Sequence, residues 1–360
     1  MSERPVNVYT EWGPLREVVL GSCVNFNLEG FDDVFVELYH ETLRQIGGLD
    51  AKPEIHRRYT EERQEDLDAF ARTLEELGVR VRRPKRLDEI VRVKTPHFEA
   101  ITNAVDAPRD MFLCLGDEIL ETPPTNRNRY FEGLMLRELF LEYFRRGARW
   151  TLGPRPALHL SLDRTRWREV DRLHEPGEIE PELEICFDAA NCLKFGRDLL
   201  MNVGNKNHEL GALWLQRHLG DRFRVHPVRV TDYHIDGTLI PLRPGVLLVN
   251  PTLRRRAHWL PEPLRRWKQI EVEDEPRKRF DYPADHVQLA SFTGMGLNVL
   301  SVDERRVCVR DEDHGVRRAL EAEGFEVIPV RFRHCELFGG GLHCCTLDVR
   351  RDEALEDHFT

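Results

Sequence analysis

Apolar positions along the chain form a loose repeat. An apolar helix ends, usually at glycine, and a short strand follows that runs into proline. The unit appears as EELGVRVRRP (75–84), YFRRGARWTLGP (143–154), HLGDRFRVHP (218–227) and AEGFEVIPV (322–330), and without its glycine as RRWKQIEVEDEP (265–276). Glycine after a helix fits a left-handed C-cap, and proline fits a strand end. The helix ahead of Gly78 carries Leu67, Phe70, Ala71, Leu74 and Leu77 on one stripe, the spacing of an amphipathic helix. A second element recurs as a short apolar strand and turn: REVVLGS, RDMFLCLGDE, RDLLMNVGN, PGVLLVNP and LNVLSVDE. Five helix–strand units interleave with five such strands, at a spacing too irregular for a fixed-period solenoid. The pattern predicts an α/β fold in which five strand–helix–strand modules close into one ring. An ordinary α/β protein of several independent units is the alternative.

The chain's 360 residues, 41% of them hydrophobic, can bury one large core or two ordinary ones. No Pro/Gly/Ser-rich linker divides it, which predicts a single domain over 1–360. The charged stretch 164–183 is expected to be a surface excursion, and it stays open whether 22–60, rich in Phe and Asp, form a lid. No apolar run reaches the roughly 18 residues of a membrane span, and the N-terminus lacks a basic region followed by an apolar stretch. The eight cysteines (23, 114, 186, 192, 308, 335, 344 and 345) form neither a CxxC pair nor a zinc-finger pattern. Most lie in apolar runs, as reduced thiols of a cytoplasmic protein would. A net charge of −10 argues against a general nucleic-acid partner. The basic stretch Arg254–Lys268 reads as a solvated helix face.

Four places carry candidate chemistry. GGGLHCCTLDVRR (339–351) sets Cys344 and Cys345 just after three glycines. Such a run suits close approach of a ligand to the backbone, and a thiol becomes a nucleophile where nearby charge favours the thiolate. Taken alone, a buried cysteine beside a glycine turn is more often structural. In DYHIDGT, a strand would project His234 and Asp236 from one face, the imidazole to shuttle protons and the carboxylate to hold a cation; a plain turn accounts for the pair equally well. Asp188, in EICFDAANCLKFG, could orient an imidazole or simply cap a helix. Asp110, in APRDMFLCLG, reads in isolation as a strand-entry turn. There is no GxxxxGK[ST] and no GxGxxG after a strand, so phosphate- or NAD-dependent chemistry has no support.

Together these segments resemble the amidinotransferase family, which includes arginine:glycine and inosamine-phosphate amidinotransferases. The resemblance starts at VNVYTEWGPLREVVLG (6–21) and runs through VRVRRP (79–84), VKTPHFEA (93–100), APRDMFLCLGDEILETP (107–123) and RNRYFE (127–132). It continues through FDAANCLKFGRDLL (187–200), ELGALWLQ (209–216) and HIDGTLIPLRPGVLLVNP (234–251), and ends in GGGLHCCTLDVRR. It implies the five-bladed α/β propeller, or pentein fold, shared with arginine deiminases. It also implies a catalytic triad of Cys344 in GGG-x-HC, His234 in HID and Asp188 in FDAA. Asp110 and Asp236 would hold the donor's guanidinium, and Ser291 would also bind substrate. The implied reaction moves the amidino group of L-arginine to an amine acceptor through an amidino-cysteine, by a ping-pong route that needs no metal or organic cofactor.

The chain departs from the family pattern in three places. Asn191 follows FDAA where the glycine-type enzyme has Asp, as in the inosamine-phosphate type. Leu253 stands where the family often has a carboxylate-binding Arg, with Arg254 one residue late, and a one-residue slip on a strand reverses its face. Of the family's serine pair only Ser291 is present, followed by Phe292. Glycine, an aminocyclitol phosphate and another amino-acid or natural-product amine therefore stay open as acceptors. The oligomeric state is open too, a homodimer included. A guanidine hydrolase of the same fold and a non-catalytic arginine-binding relative are the competing functions. Retention of Cys344, His234 and Asp188 together argues against the latter, since binding alone needs no nucleophile.

Overall fold

Helices in this protein end in the way their glycines foretell. Gly78, Gly147, Gly220 and Gly324 all take positive φ (+85°, +101°, +58° and +80°). In three of the four, the next residue's N–H reaches back to the helix: Val79 to Leu74 O, Ala148 to Tyr143 O and Phe325 to Leu320 O, at 2.9–3.0 Å. That pattern satisfies carbonyls the helix leaves orphaned and turns the chain into the next strand. The computed structural model describes residues 4–26, 57–158, 183–231, 234–273 and 295–359.

Each turned-back strand lies parallel to a strand that precedes the helix, and that central strand pairs antiparallel with a third. The first module runs β1 (Leu15–Leu20), α1 (Arg57–Glu76) and β2 (Arg80–Arg82). After a small hairpin, β3 (Arg92–Lys94) and β4 (Glu99–Ile101), the second runs β5 (Phe112–Leu115), β6 (Glu118–Glu121), α2 (Gly133–Arg145) and β7 (Arg149–Leu152). The third is β8 (Cys192–Phe195), β9 (Asp198–Asn202), α3 (Lys206–Leu219) and β10 (Arg224–Val228). The fourth is β11 (Leu239–Arg243), β12 (Val246–Val249), the single turn α4 (Glu262–Arg265) and β13 (Lys268–Glu271). The fifth is β14 (Leu300–Ser301), β15 (Arg306–Arg310), α5 (His314–Ala322) and β16 (Glu326–Val330). The short α6 (Cys335–Phe338) then leads to β17 (Thr346–Arg351), which returns to pair antiparallel with β1 and supplies the third strand of the first module.

Every module thus has one more strand than a strand–helix–strand pattern counts. REVVLGS, RDLLMNVGN and PGVLLVNP hold central strands, but RDMFLCLGDE and LNVLSVDE hold hairpin strands. The central strands of those two modules, EILE and RVCVR, are hidden by charge: Glu118, Glu121 and Arg310 are buried. Each is paired, Glu118 with Thr151 and His218, Glu121 with Trp150, and Arg310 with Asp313 and Glu336. A buried charge is tolerated when it is bonded in this way.

Apolar clusters between successive modules close the ring. Val19 of the first module packs with Phe112, Phe140 and Tyr143 of the second, and Leu120 of the second with Leu199 and Met201 of the third. Leu200, Leu248 and Val309 share a cluster joining the third, fourth and fifth. Leu300 and Phe332 then meet Val18, Leu20 and Phe70 of the first. Most of the strands are covered on both faces, which is why they read as unbroken apolar runs rather than alternating ones. All eight cysteines are buried and none is in a disulfide. Among the described residues no helix is long and apolar enough to cross a membrane. The basic stretch after Asn250 is a succession of short turns rather than one helix face, with Arg254, Arg266 and Lys268 paired to Glu271, Glu262 and Glu323.

Arg351 bolts the closure. It is fully buried and donates to Asp348 Oδ2 at 3.0 Å, to Ser301 O at 2.9 Å and to Gly13 O. Replacing it by Met should strand those acceptors and cost on the order of 3 kcal/mol. A drop in the guanidinium chloride midpoint without a change of slope would show it.

Candidate active site

At one end of the ring, a single tight turn precedes the first hairpin strand in four modules: Pro108–Asp110 before β5, Ala189–Asn191 before β8, Ile235–Gly237 before β11 and Met295–Leu297 before β14. The first three pack against one another in order, the third packs on the fourth, and β17 meets the first. The loop Gly340–Cys345 leads into β17. Site residues therefore arrive from all five modules. Asp110, Asn298 and Cys344 each stand two positions ahead of their strand.

Cys344 is buried, with its Sγ 3.2 Å from Asp236 Oδ2 and 3.1 Å from Asn298 Nδ2. Asn298 is oriented by the Cys344 backbone N–H, which donates to its Oδ1 at 3.0 Å, so its amide nitrogen faces Asp236 (2.9 Å) and the thiol. A Cβ added at Gly340 would stand 3.2 Å from Cys344 Cβ, so any larger residue there would crowd the thiol. Burial, Asp236 and Asp110 together push the Cys344 thiol well above its ordinary value. Buried against these carboxylates, the thiol stays protonated.

Asp188 occupies a cap position but caps nothing. Its Oδ1 accepts from Thr125 Oγ1 at 2.7 Å and its Oδ2 faces His234 Nε2 at 3.1 Å. His234 Nδ1 lies 3.8 Å from Asp110 Oδ1. Burial would lower the imidazole, but Asp110 and Asp188 override it and hold His234 up at about 9. The same pairing keeps the Asp188 carboxyl below its usual range despite burial.

His234 and Asp236 do not lie on a strand, as alternation would have required. They flank and occupy the turn Ile235–Gly237, with Asp236 buried and the His234 side chain 31% exposed. Asp110 is buried as well. Its Oδ2 accepts from Arg129 Nη1 at 2.5 Å, whereas its Oδ1 has no hydrogen-bond partner. Arg129 is itself held by both oxygens of Glu132 and by Ala107 O. An unpartnered buried acceptor beside an imidazolium invites a donor.

The structure thus brings together Cys344, His234, Asp188, Asp110 and Asp236; Ser291 lies outside the described residues, as do 27–56 of the lid segment and nearly all of 164–183. Cys345 faces away, accepting from the buried Arg63 at 2.7 Å. Leu253 is in the core and Arg254 is on the surface, its side chain 73% exposed and paired with Glu271. The slip of one residue on the turn Pro251–Arg255 therefore removes that arginine from the site. Asn191 is buried against Asn202. Thr125, Arg129, Asn298 and His343 were not singled out by sequence, although Asn298 shares the two-before-strand position of Asp110 and Cys344.

No protein-family model matches the chain. It is 36% identical to inosamine-phosphate amidinotransferase 1 of Streptomyces glaucescens, over 98% of this chain and 99% of that one. It is 36% identical to the L-arginine:L-lysine amidinotransferase of Pseudomonas savastanoi pv. phaseolicola (99% and 97%) and 33% identical to the mitochondrial glycine amidinotransferase of Xenopus tropicalis (100% and 86%). The solved inosamine-phosphate amidinotransferase of Streptomyces griseus superposes with a TM-score of 0.82 at 35% identity, covering 99% of this chain and 100% of that one. A dimethylarginine dimethylaminohydrolase shares the pentein fold alone, at a TM-score of 0.55 and 15% identity over 92% and 99%. Identity at this level, sustained from end to end, shows that the chain belongs to the amidinotransferase family.

Proposed function

We propose that the protein moves the amidino group of L-arginine to an acceptor amine, releasing ornithine, through an amidino adduct on Cys344. The observation that carries this reading is a buried thiol 3.2 Å from one carboxylate, in a site that also holds a second, half-satisfied carboxylate and a charged imidazole. Asp110 Oδ1 and Asp236 would take the planar guanidinium by charge-assisted hydrogen bonds. The arriving cation offsets the two carboxylates that hold the thiol protonated, so substrate binding itself favours the thiolate.

The thiolate adds to the guanidinium carbon. The bond to the departing nitrogen then breaks, with its electron pair staying on nitrogen and His234 supplying the proton, and ornithine leaves. Asp188 orients the ring and stabilises its charge. An acceptor amine, deprotonated by the now neutral His234, attacks the adduct and the thiolate leaves, closing a ping-pong cycle. Ser291 belongs to the same proposal as a substrate-binding residue. The relatives act, by their names, on inosamine phosphate, lysine and glycine. The acceptor proposed here is an amine of that range, an amino acid, an aminocyclitol or a natural-product intermediate, used in making a guanidino compound. The whole chain would serve as one catalytic domain in the cytoplasm, where eight buried thiols stay reduced.

With arginine alone, mass spectrometry of the intact protein should show a gain of one amidino group. Cys344→Ala should lack it and Cys345→Ala should keep it. With an amine panel the product should be ornithine; citrulline formed without any acceptor would sink the transferase reading in favour of hydrolysis.

The first half-reaction needs protonated His234, so its rate should fall as pH rises through about 9. Asp188→Asn removes a partner that raises His234 and should move that limb to lower pH, read by histidine NMR titration and by adduct formation. Linkage follows the same sign. The His234 contribution to stability is complete below the ordinary 6.5 and is lost as pH climbs through about 9. Arg254→Ala should leave turnover within about twofold of wild type, as expected of a surface side chain away from the site.

A further inference from the structure

His343, next to Cys344, sits between two carboxylates. Its Nδ1 is 2.9 Å from Asp236 Oδ2 and its Nε2 is 3.3 Å from Glu11 Oε2. The ring and both carboxylates are almost fully shielded from water. An ionised carboxylate only accepts, so each contact requires a proton on the ring nitrogen that faces it, and neutral imidazole carries one proton, not two.

Neither carboxylate is placed to supply the missing proton. Glu11 Oε1 takes Lys194 Nζ at 2.7 Å and the Lys194 backbone N–H at 3.2 Å, and its Oε2 takes Arg109 Nη1 at 3.2 Å. Against burial, Lys194 and Arg109 hold Glu11 well below the usual carboxylate range. Asp236 Oδ2 already accepts from Asn298 at 2.9 Å and from Cys344 at 3.2 Å. Arg109 also pins His343 from behind, its Nε donating to His343 O at 2.8 Å.

We infer that His343 is a buried imidazolium and a positioning residue for amidino transfer: it locks Asp236 in place as an anion and supplies the fixed positive charge that a thiolate on Cys344 balances. The inference rests on the reading of Cys344 as the nucleophile. Charged groups face His343 from every side. Asp236 comes from the turn before β11, Glu11 from the N-terminal segment, Arg109 from the turn before β5 and Lys194 from β8. Asp348 and Arg351 of β17 lie beyond them, with Asp348 2.7 Å from Arg109. In that group the three anions Asp236, Glu11 and Asp348 are matched by the three cations Lys194, Arg109 and Arg351. A proton on both His343 nitrogens therefore leaves one positive charge over, at the residue adjoining the thiol. His234 is the other imidazole near Asp236, and it belongs to the separate Asp110–Asp188 group.

Nitrogen-15 NMR of histidine-labelled enzyme at pH 7.5, with His343 assigned by its loss in His343→Asn, should show both ring nitrogens protonated. A single-proton neutral tautomer overturns the inference. Rapid-quench mass spectrometry with arginine gives an independent arm. His343→Asn keeps a donor toward Asp236 but no charge, so the rising limb of adduct formation should move up by about one pH unit, with the KM for arginine changed little. His343→Gln reaches toward Glu11 and releases Asp236, so it should raise that KM several-fold. An unmoved pH limb in His343→Asn overturns the inference. If wild-type enzyme forms no adduct on Cys344, the nucleophile reading fails instead, and the NMR result alone decides the charge on His343.

Discussion

Cys344 is buried, and the charged side chain its thiol touches is the carboxylate of Asp236. In low dielectric, a thiolate placed against Asp236 and near Asp110 repels both, and two unit charges a few ångströms apart interact by several kcal/mol even at an effective dielectric constant of about 20. The thiol can ionise only when positive charge is brought to the same place. Much of the rest of the structure answers that constraint. In the proposed reaction one cation comes from the guanidinium substrate, whose arrival would satisfy the free oxygen of Asp110. Others are built in: Lys194, Arg109 and Arg351 form a buried ladder with Glu11 and Asp348 behind the thiol. A resting thiol that is hard to ionise is also one that resists oxidation.

Holding so many charges out of water demands that every one be bonded, and the ring makes this possible. No single module could surround Glu11, which reaches Lys194 on β8, Arg109 ahead of β5 and His343 ahead of β17. Closure by β17 on β1 fixes the last of these, because the strand that carries Asp348 and Arg351 begins two residues after the thiol. Cys344, the proposed nucleophile, is in this sense attached to the seam of the ring. Its position depends on the two chain ends meeting, and Arg351 ties that seam to Gly13 and Ser301.

Repetition made much of this fold legible. A helix, a glycine with positive φ and a short strand recur because each module must turn its chain back in the same way, and glycine does so at least steric cost. Hydropathy failed where paired charges lie inside strands: EILE and RVCVR look like surface segments until Trp150, His218, Asp313 and Glu336 are seen around them. The resemblance to amidinotransferases singled out Cys344, His234, Asp188, Asp110 and Asp236, and the structure brings these five side chains together. Local spacing left a strand and a turn equally open for His234 and Asp236, and the structure has the turn. Asn298 was hidden because an Asn before a strand looks ordinary. Only the shared two-before-strand position sets it beside Asp110 and Cys344, and that position is visible once the strands are known. His343 and Glu11 lie 332 residues apart in sequence, and no local pattern connects them.

The two imidazoles divide the work that a single group could not do. A residue that gives a proton to a leaving amine and takes one from an attacking amine must change charge within each turnover, and in the proposed reaction that residue is His234. It is partly exposed, and Asp110 and Asp188 hold it up so that it starts protonated. A residue that keeps a thiolate affordable must not change charge, or the nucleophile would lose its counterion when the proton moves. His343 meets that need by being sealed away from water between two anions, with its backbone carbonyl held by Arg109. The carboxylate they both influence is Asp236, which touches the thiol directly. Proton traffic at His234 can then proceed on one side of that carboxylate while the charge on the other side stays fixed.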